Sequence, residues 1–273
     1  MKTAEELRGK IDKVMQLHAL PDNAMRAVQK LNSEKTTASE VAREIAKEPA
    51  FSAQVLRLVN SGFYGFSTPV TSIAHATVLV GFSVMKTIIL SSSIVGAMPK
   101  SMSGLWIHSL ACARVSTLLG RFIGLPEPEE LSAAGLLHDV GKIVMGQFLP
   151  EEYHSVVKTA GEADILFLEA EQKVLPITHI DVAKWLLKKW NLPQDTSTPI
   201  TEHHAFDPSA PLAERIAIVH LADILVRAVG CGWGGDSRMP ALNGEAVKML
   251  NLEVSHMQTI MEQMASELKD IQE

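Results

Sequence analysis

The chain has 273 residues, of which 47% are hydrophobic and 21% charged, and its formal net charge at pH 7 is −6. This hydrophobic content supports a full core, as one large helical domain or as two abutting lobes, and excludes an intrinsically disordered chain. The negative charge excludes the broad basic surface that proteins use on duplex nucleic acid.

Two features of the sequence predict where the protein resides. The first residues, Met1 to Glu6, are charged rather than apolar, so they do not resemble a secretory leader. The two cysteines, Cys112 and Cys231, are most simply interpreted as reduced thiols. We therefore expect a cytoplasmic protein.

Apolar spacing predicts short amphipathic helices along nearly the whole chain. Thr37 followed by Glu40 has the form of a capping box, and apolar residues then continue at helical spacing until Pro49. No stretch sustains the apolar and polar alternation of a strand. The predicted fold class is therefore all-α. Helices are predicted to break at Leu125-Pro126, Leu192-Pro193 and Thr198-Pro199.

One segment has nearly the length of a membrane span. Residues 78 to 98 carry Lys86 as their only charge and approach the roughly 20 apolar residues needed to cross a bilayer. Ser83, Thr87 and the serines of residues 91 to 93 would add polar groups to the bilayer interior. We therefore expect a buried helix with Lys86 reaching out at its edge, and no membrane insertion.

A change of composition around residues 99 to 104 predicts a domain boundary. Residues 1–100 would form an N-terminal helical lobe, packed on a second lobe of residues 101–230. Residues 231–273 would supply a glycine-rich loop and a last charged helix. The aromatic residues of the loop at residues 60–69 would either pack between the lobes or form a recognition surface.

The polar residues that bear chemistry are concentrated in the second lobe. The run from Gly135 to Lys142 reads Gly-Leu-Leu-His-Asp-Val-Gly-Lys, so His138 and Asp139 lie next to each other in an apolar segment. A buried carboxylate must be paired or coordinated. Imidazole and carboxylate together suit zinc, iron or manganese. The pair therefore indicates a metal ion.

Helical spacing turns three further polar residues inward. His108 falls within an apolar stripe that includes Leu105 and Cys112. His179 begins another apolar stripe, whose opposite face carries lysines. Asp223 lies four residues after Val219, on the buried side of its helix.

A single histidine on an apolar face is more often a hydrogen-bonded core residue than a ligand. Five histidines and two aspartates on four or five segments are harder to explain in that way, because ionised groups are almost never buried alone. We therefore predict one shared metal centre. Its predicted ligands are His108, His138, Asp139, His179, His203, His204 and Asp223.

The order of these residues resembles the HD superfamily of metal-dependent phosphohydrolases and matches the two-metal set of the HD-GYP cyclic-dinucleotide phosphodiesterases. The first half of the chain resembles the HDOD domain, a regulatory relative of HD-GYP found in bacterial signalling proteins. The similarity covers roughly residues 15 to 230. The motifs that carry it are Leu20-Pro21, residues 56–65 (Leu-Arg-Leu-Val-Asn-Ser-Gly-Phe-Tyr-Gly), the segment from Ile73 to Phe82, and Trp190-Asn191-Leu192-Pro193.

Two departures from the HD-GYP pattern limit what the resemblance implies. Residues 205–211 read Ala-Phe-Asp-Pro-Ser-Ala-Pro, so the Gly-Tyr-Pro signature of the substrate-binding loop is missing. Gly104 stands where some HD-GYP enzymes carry a glutamate that holds a third metal. At most two metals are therefore expected.

The resemblance implies an HD-like helical fold that binds two divalent or mixed-valent transition metals, iron first, with manganese or zinc as alternatives. Asp139 would bridge the ions, with His108, His138 and Asp223 around one and the other three histidines around the second. Water activated by both metals would attack a phosphate ester or diester. Lys142 would either neutralise a substrate phosphate or be a surface lysine at a helix end.

Three functions stay open on the sequence. The first is a bacterial signalling module whose metal site is structural or sensory and which contacts signalling proteins. The second is a phosphohydrolase acting on a phosphorylated small molecule, either a nucleotide or a cyclic dinucleotide. The third is a di-iron oxygenase, because some HD-fold proteins use this ligand set with mixed-valent iron. The missing Gly-Tyr-Pro signature favours the first over the second, whereas the complete ligand set favours an enzyme over a degenerate scaffold.

Overall fold

The computed structural model describes residues 2–17, 21–33, 35–60, 66, 68–96 and 98–272. The chain is 72% helical and the described residues contain no β-strand, so the predicted all-α fold class is confirmed. Leu20 of the first motif and the aromatic residues Phe63 and Tyr64 lie outside the described residues.

The chain divides into two compact units. The smaller unit comprises residues Gln16–Ala97, and the larger unit comprises Met1–Met15 together with Met98–Glu273. The first 15 residues thus group with the unit that contains all the predicted metal ligands. The first six helices are α1 (Ala4–Leu17), α2 (Asp22–Leu31), α3 (Ala38–Ile45), α4 (Pro49–Val59), α5 (Ile73–Val80) and α6 (Phe82–Gly96).

Local sequence explains the boundaries of the helices in the smaller unit. The predicted capping box is present at the start of α3, where Thr37 Oγ1 accepts a hydrogen bond from the Glu40 amide and the Glu40 carboxylate accepts one from the Thr37 amide. Pro49 follows α3 and opens α4 at its first turn, where its missing N–H is not needed. Gly81, at φ +82°, separates α5 from α6.

The apolar segment at residues 78–98 is divided between α5 and α6. No helix among the described residues is long and apolar enough to cross a membrane. Lys86 does not reach into solvent as predicted. It is buried and donates a hydrogen bond to Asn32 Oδ1 at 2.7 Å, because the residue after α2 offers a polar acceptor within the same unit.

The larger unit is built around two long helices that carry apolar faces along their whole length. Helix α7 (Ser103–Phe122) packs on α8 (Leu131–Leu137) and on α14 (Ala213–Ala228). Besides most of α1, this unit contains α9 (Val140–Phe148), α10 (Pro150–Ala163), α11 (Phe167–Val174), α12 (His179–Lys189), α13 (Gln194–Glu202), α15 (Gly244–Met249), α16 (Val254–Glu267) and α17 (Lys269–Gln272).

One predicted helix break is wrong. Helices α7 and α12 end before Pro126 and Pro193, as expected, but Pro199 lies inside α13. Pro199 is the sixth residue of α13, where it removes one backbone hydrogen bond and its ring crowds the carbonyl four residues earlier, so the packing of the helix outweighs this local cost. The continued helix carries the chain directly to His203 and His204.

Two glycines allow the helices that bear the predicted ligands to approach closely. A Cβ atom on Gly135 of α8 would lie 2.7 Å from the Cα of Ala113 in α7. A Cβ atom on Gly141 of α9 would collide with the carbonyl oxygen of His179, at the start of α12. Such contacts are shorter than atoms allow, so each position requires glycine for packing.

We expect Gly141→Ala to destabilise the protein by roughly 1–3 kcal/mol, because the added methyl group must displace backbone rather than a flexible side chain. The matched control is Gly161→Ala in α10, where an added Cβ meets nothing within 4 Å. Removing a helical glycine there should stabilise the protein by about 0.5–1 kcal/mol. Urea denaturation of both variants measures the difference, and equal midpoints would contradict the packing argument.

Candidate metal centre

The seven predicted ligands converge in the larger unit from five parts of the chain. His108 comes from α7, His138 and Asp139 from the junction of α8 and α9, and His179 from the start of α12. His203 and His204 follow α13, and Asp223 lies on α14. Six of these side chains are buried and His204 is partly exposed, so the predicted inward orientation of His108, His179 and Asp223 is confirmed.

The ligands form two groups. We call His108, His138 and Asp223 group A, and His179, His203 and His204 group B. In group A, Asp223 Oδ1 lies 3.0 Å from His108 Nε2 and 3.9 Å from His138 Nε2. In group B, the rings of His203 and His204 are 3.9 Å apart and His179 lies 5.2 Å from His204, between ring centres. Within each group the ligand atoms lie within 4.8 Å of one another.

Asp139 lies between the two groups. Its Oδ2 atom is 3.3 Å from His138 Nε2 and 3.9 Å from His108 Nε2, both in group A. Its Oδ1 atom is 3.6 Å from His179 Nε2, in group B. Each carboxylate oxygen therefore faces a different group of ligands.

Hydrogen bonds orient three of the histidine rings. The Nδ1 atom lies 2.8 Å from the Gly135 carbonyl in His138 and 2.8 Å from the Ile200 carbonyl in His203. In His179 it lies 2.6 Å from a carboxylate oxygen of Glu171. Because carbonyl and carboxylate oxygens only accept, Nδ1 carries the proton in each ring and Nε2 keeps its lone pair. This outer bonding is typical of metal-binding histidines.

Five buried polar atoms at this place have no hydrogen-bond partner among the described residues. They are the Nε2 atoms of His138, His179, His203 and His204, and Oδ1 of Asp139. Buried polar groups are rarely left unbonded in native proteins. Four of them, Oδ1 of Asp139 and the Nε2 atoms of His138, His179 and His203, present lone pairs, so a cation satisfies them and another hydrogen-bond acceptor would not. The donor set therefore fits a transition metal.

The pKa values follow from burial and from the two carboxylates. Burial lowers the pKa of His203 to about 3 and holds the pKa of His204 well below its usual value, so both rings are neutral. Burial alone would raise the pKa of Asp139, but Lys142 and the neighbouring histidines hold it well below its usual range. The charges of Asp139 and Asp223 outweigh burial and raise the pKa of His138. The carboxylates thus attract positive charge to the position of the unpartnered atoms.

Cys112 also lies beside group A. Its sulfur is 3.5 Å from His108 Nε2 and 3.9 Å from His108 Nδ1. Because the two distances are nearly equal, the sulfur lies over the face of the ring rather than in front of the Nε2 lone pair. Burial raises the pKa of the Cys112 thiol well above its usual value. Cys112 therefore packs against the ring of His108 in the arrangement seen.

Lys142 is not a surface lysine, which corrects one of the two interpretations made from the sequence. Its side chain is 2% exposed and its Nζ atom donates to Asp139 Oδ2 and to the Gly234 carbonyl, both at 2.8 Å. The same atom lies 5.1 Å from the centre of the Phe167 ring. Its charge is therefore directed at Asp139, one helical turn away on the inner face of α9.

The sequence argument missed three charged residues that support the ligands. Glu171 is wholly buried and accepts hydrogen bonds from both the backbone and the ring of His179. Arg227 donates to Asp223 Oδ1 at 3.2 Å and to Asp236. Glu171 lies in the apolar stripe of α11 and Arg227 four residues after Asp223, so spacing could have indicated both. Asp236 lies in a glycine-rich loop, where no periodic pattern exists.

The charges of the site do not balance. Asp139, Glu171, Asp223 and Asp236 are buried carboxylates, whereas Lys142 and Arg227 are the basic side chains bonded to them. With neutral imidazoles these groups have a formal net charge of −2. A buried negative charge of this size needs compensation, which agrees with the excess of unpartnered acceptors.

Comparison with known proteins identifies the fold that holds this site. The HDOD domain family matches residues 17–206, which is more than half of the chain. The chain belongs to the HDOD domain family. The expected resemblance is thereby confirmed.

Solved structures with this fold cover nearly the whole chain. An HDOD domain protein of unknown function from Geobacter sulfurreducens is 27% identical, with a TM-score of 0.73 over 93% of this chain and 90% of that one. A Shewanella amazonensis SB2B protein named "Putative phosphohydrolase" is 19% identical, with a TM-score of 0.71 over 97% and 96% of the two chains. Another protein of that organism, named "Putative metal-dependent phosphohydrolase", is 14% identical, with a TM-score of 0.59 over 97% and 99%. The two Shewanella likenesses show a shared fold.

A relative found by sequence is larger than this chain. An uncharacterized protein of Treponema pallidum (strain Nichols) is 23% identical over 235 residues, which is 83% of this chain. The match spans 44% of that relative, so this chain corresponds to less than half of it.

Glu171→Gln should weaken metal binding by about 10–100-fold, because the amide supports His179 less well than a carboxylate. The matched control is Glu162→Gln, which changes an exposed glutamate of α10 that pairs with Lys158. Isothermal titration calorimetry of each metal-free variant with Mn²⁺ or Zn²⁺ gives the affinities. Equal affinities for both variants would show that Glu171 does not support the centre.

Proposed function

We propose that this chain is an HDOD-type signal-transduction protein whose larger unit holds a dinuclear transition-metal centre with phosphohydrolase activity. The position of Asp139 carries the proposal. Its two oxygens face group A and group B separately, which is what a bridging carboxylate requires. Group A would hold one metal and group B the other. Iron is the first choice of metal, and manganese and zinc suit the same ligands.

The charge of the site supports an anionic substrate. The side chains of the site alone have a formal net charge of −2. Two divalent cations would make the net charge of the site positive. A buried positive centre attracts phosphate and stabilises the charge that develops on a phosphoryl oxygen. When bound, two metals would also lower the pKa of a shared water, which makes it a nucleophile at neutral pH.

The residues of this chain would fix the geometry of that reaction. Lys142 holds Asp139 through Oδ2, which restricts rotation of the carboxylate between the two groups. Glu171 fixes the tautomer and ring orientation of His179. Arg227 donates a hydrogen bond to the Asp223 carboxylate and so restricts its orientation. Preorganised ligands of this kind avoid reorganisation during the reaction. In this account Asp139 and Lys142 are the residues closest to the reacting phosphate.

A second candidate function is a structural or sensory metal centre that controls contact with other signalling proteins. The burial of the ligands supports it, because six of the seven side chains have almost no contact with solvent. The missing Gly-Tyr-Pro signature favours it as well. Catalytic activity and metal content together distinguish the two candidates.

We expect protein purified without chelator to carry up to two equivalents of iron, manganese or zinc. Asp139→Ala should lose both metals, because Asp139 faces both groups, whereas His204→Ala should lose mainly the metal of group B. Thermal stability of Asp139→Ala should fall, since bound metal stabilises the folded state. Elemental analysis and thermal denaturation measure these changes.

Two results would contradict the proposed centre. The first is less than about a tenth of an equivalent of any transition metal in the parent protein, without uptake on addition. The second is an Asp139→Ala variant with the metal content and melting temperature of the parent. Iron spectroscopy of the parent identifies a mixed-valent pair, if iron is the metal.

Metal-loaded protein should hydrolyse a generic activated phosphate ester, and Asp139→Ala, prepared in the same way, should not. Cyclic di-GMP should be turned over little or not at all, because the Gly-Tyr-Pro signature is missing. Hydrolysis of cyclic di-GMP at roughly 1 per second or more would overturn this expectation. Full metal content without hydrolysis of any ester would favour the sensory function over the phosphohydrolase.

A further inference from the structure

A small cavity opens beside the candidate metal centre, within the larger unit. Its volume is about 170 Å³, and the partly exposed His204 is one of the residues that line it. Lys142 and Arg227 supply positive charge to its wall. Phe167, Leu168 and Pro240 supply an apolar wall. The Asp236 carboxylate also lines the cavity, so its charged side chains have a formal net charge of +1 beside a predicted ligand and a hydrophobic surface.

The size of this cavity restricts what it accepts. Sites for drug-sized ligands usually measure about 300–1,000 Å³. The volume of this cavity, 170 Å³, lies below that range. A phosphoryl group is small enough to enter this cavity, whereas two nucleosides joined by phosphodiesters do not fit in it.

The glycine-rich loop of residues 230–243, which we call the strap, forms one side of the cavity. The Gly234 carbonyl accepts hydrogen bonds from Lys142 and from Arg227. The Asp236 carboxylate accepts bonds from Arg227 and from the Phe167 amide. The strap is thus bonded to the same two cations that line the cavity.

Both ends of the strap are fixed to ligand-bearing helices. Near its start, Trp233 donates its amide to the Gly104 carbonyl at 2.9 Å, one turn before His108. At its end, the Asn243 amide donates to His220 Nε2, and the His220 ring bonds in turn to the His203 carbonyl. Several hydrogen bonds must therefore break before the strap can move away from this side of the cavity.

We infer that this cavity is the phosphoryl-binding subsite of the centre, and that the strap limits it to inorganic phosphate and small phosphate monoesters. The inference rests on the proposed function. The two cations and the adjacent metals attract the phosphoryl group, and the apolar wall contacts a small leaving group. Nucleotides joined as cyclic diesters are excluded by size.

The test is ³¹P NMR of the full chain loaded with Mn²⁺, because a paramagnetic ion broadens the phosphorus signal of a ligand bound next to it. The phosphorus signal of inorganic phosphate should broaden in a saturable way, and the signal of cyclic di-GMP at the same concentration should not. Metal-free protein is the reference for both ligands. Manganese content is measured on each sample.

Two variants test the position of the subsite. Leu168→Trp fills the cavity from α11, and Ala241→Trp fills it from the strap. Both should retain Mn²⁺ and weaken phosphate binding by at least about tenfold. The matched control is Leu242→Trp, which adds the same bulk to the strap at an exposed position outside the cavity. With this control variant, the phosphate signal should broaden as much as with the parent protein.

The outcomes separate failure of this inference from failure of the proposed function. If the parent binds no Mn²⁺, the metal centre itself is wrong, and the subsite with it. If Mn²⁺ binds but the phosphate signal is not broadened, the assignment of the subsite is wrong. It is also wrong if both filled variants still bind phosphate as the parent does. If cyclic di-GMP is broadened as strongly as phosphate, the size limit is wrong. Selective broadening of phosphate, lost in both filled variants, supports the inference.

Discussion

The buried carboxylate of Asp139 is the group around which the larger unit is organised. It lies at the junction of α8 and α9, is almost wholly removed from solvent, and faces histidine nitrogens on two sides. An ionised carboxylate in such a place needs compensating positive charge. Lys142 supplies one charge directly. The unpartnered histidine nitrogens around Asp139 offer lone pairs to a further cation.

Close helix packing brings these groups together. Gly135 lets α8 approach α7, and Gly141 lets α9 approach the start of α12. The first contact places His138 beside His108, and the second places Asp139 beside His179. Because rigid helices carry the ligands and hydrogen bonds fix their rings, the site is preorganised before any metal binds. The same packing explains why the ligands are so little exposed.

The strap links the chemistry of the centre to its accessibility. It supplies backbone and carboxylate acceptors to Lys142 and Arg227, which satisfies two cations that would otherwise be buried with too few partners. It also forms a wall of the cavity next to His204. Stability of the charged centre and access to it therefore depend on one loop.

The sequence by itself determined the all-α class, the inward faces of His108, His179 and Asp223, and the donor types of the candidate metal centre, because helical periodicity is local and the donor types are given by the residues themselves. Only the tertiary structure decided that Lys142 is buried on Asp139, that Glu171 supports His179, and that Asp236 reaches Arg227. It also decided that Pro199 stays within a helix. The partners of these side chains lie only three to nine residues away. A periodic pattern nevertheless does not give them, because it records which face of a helix is buried but not which partner that face meets.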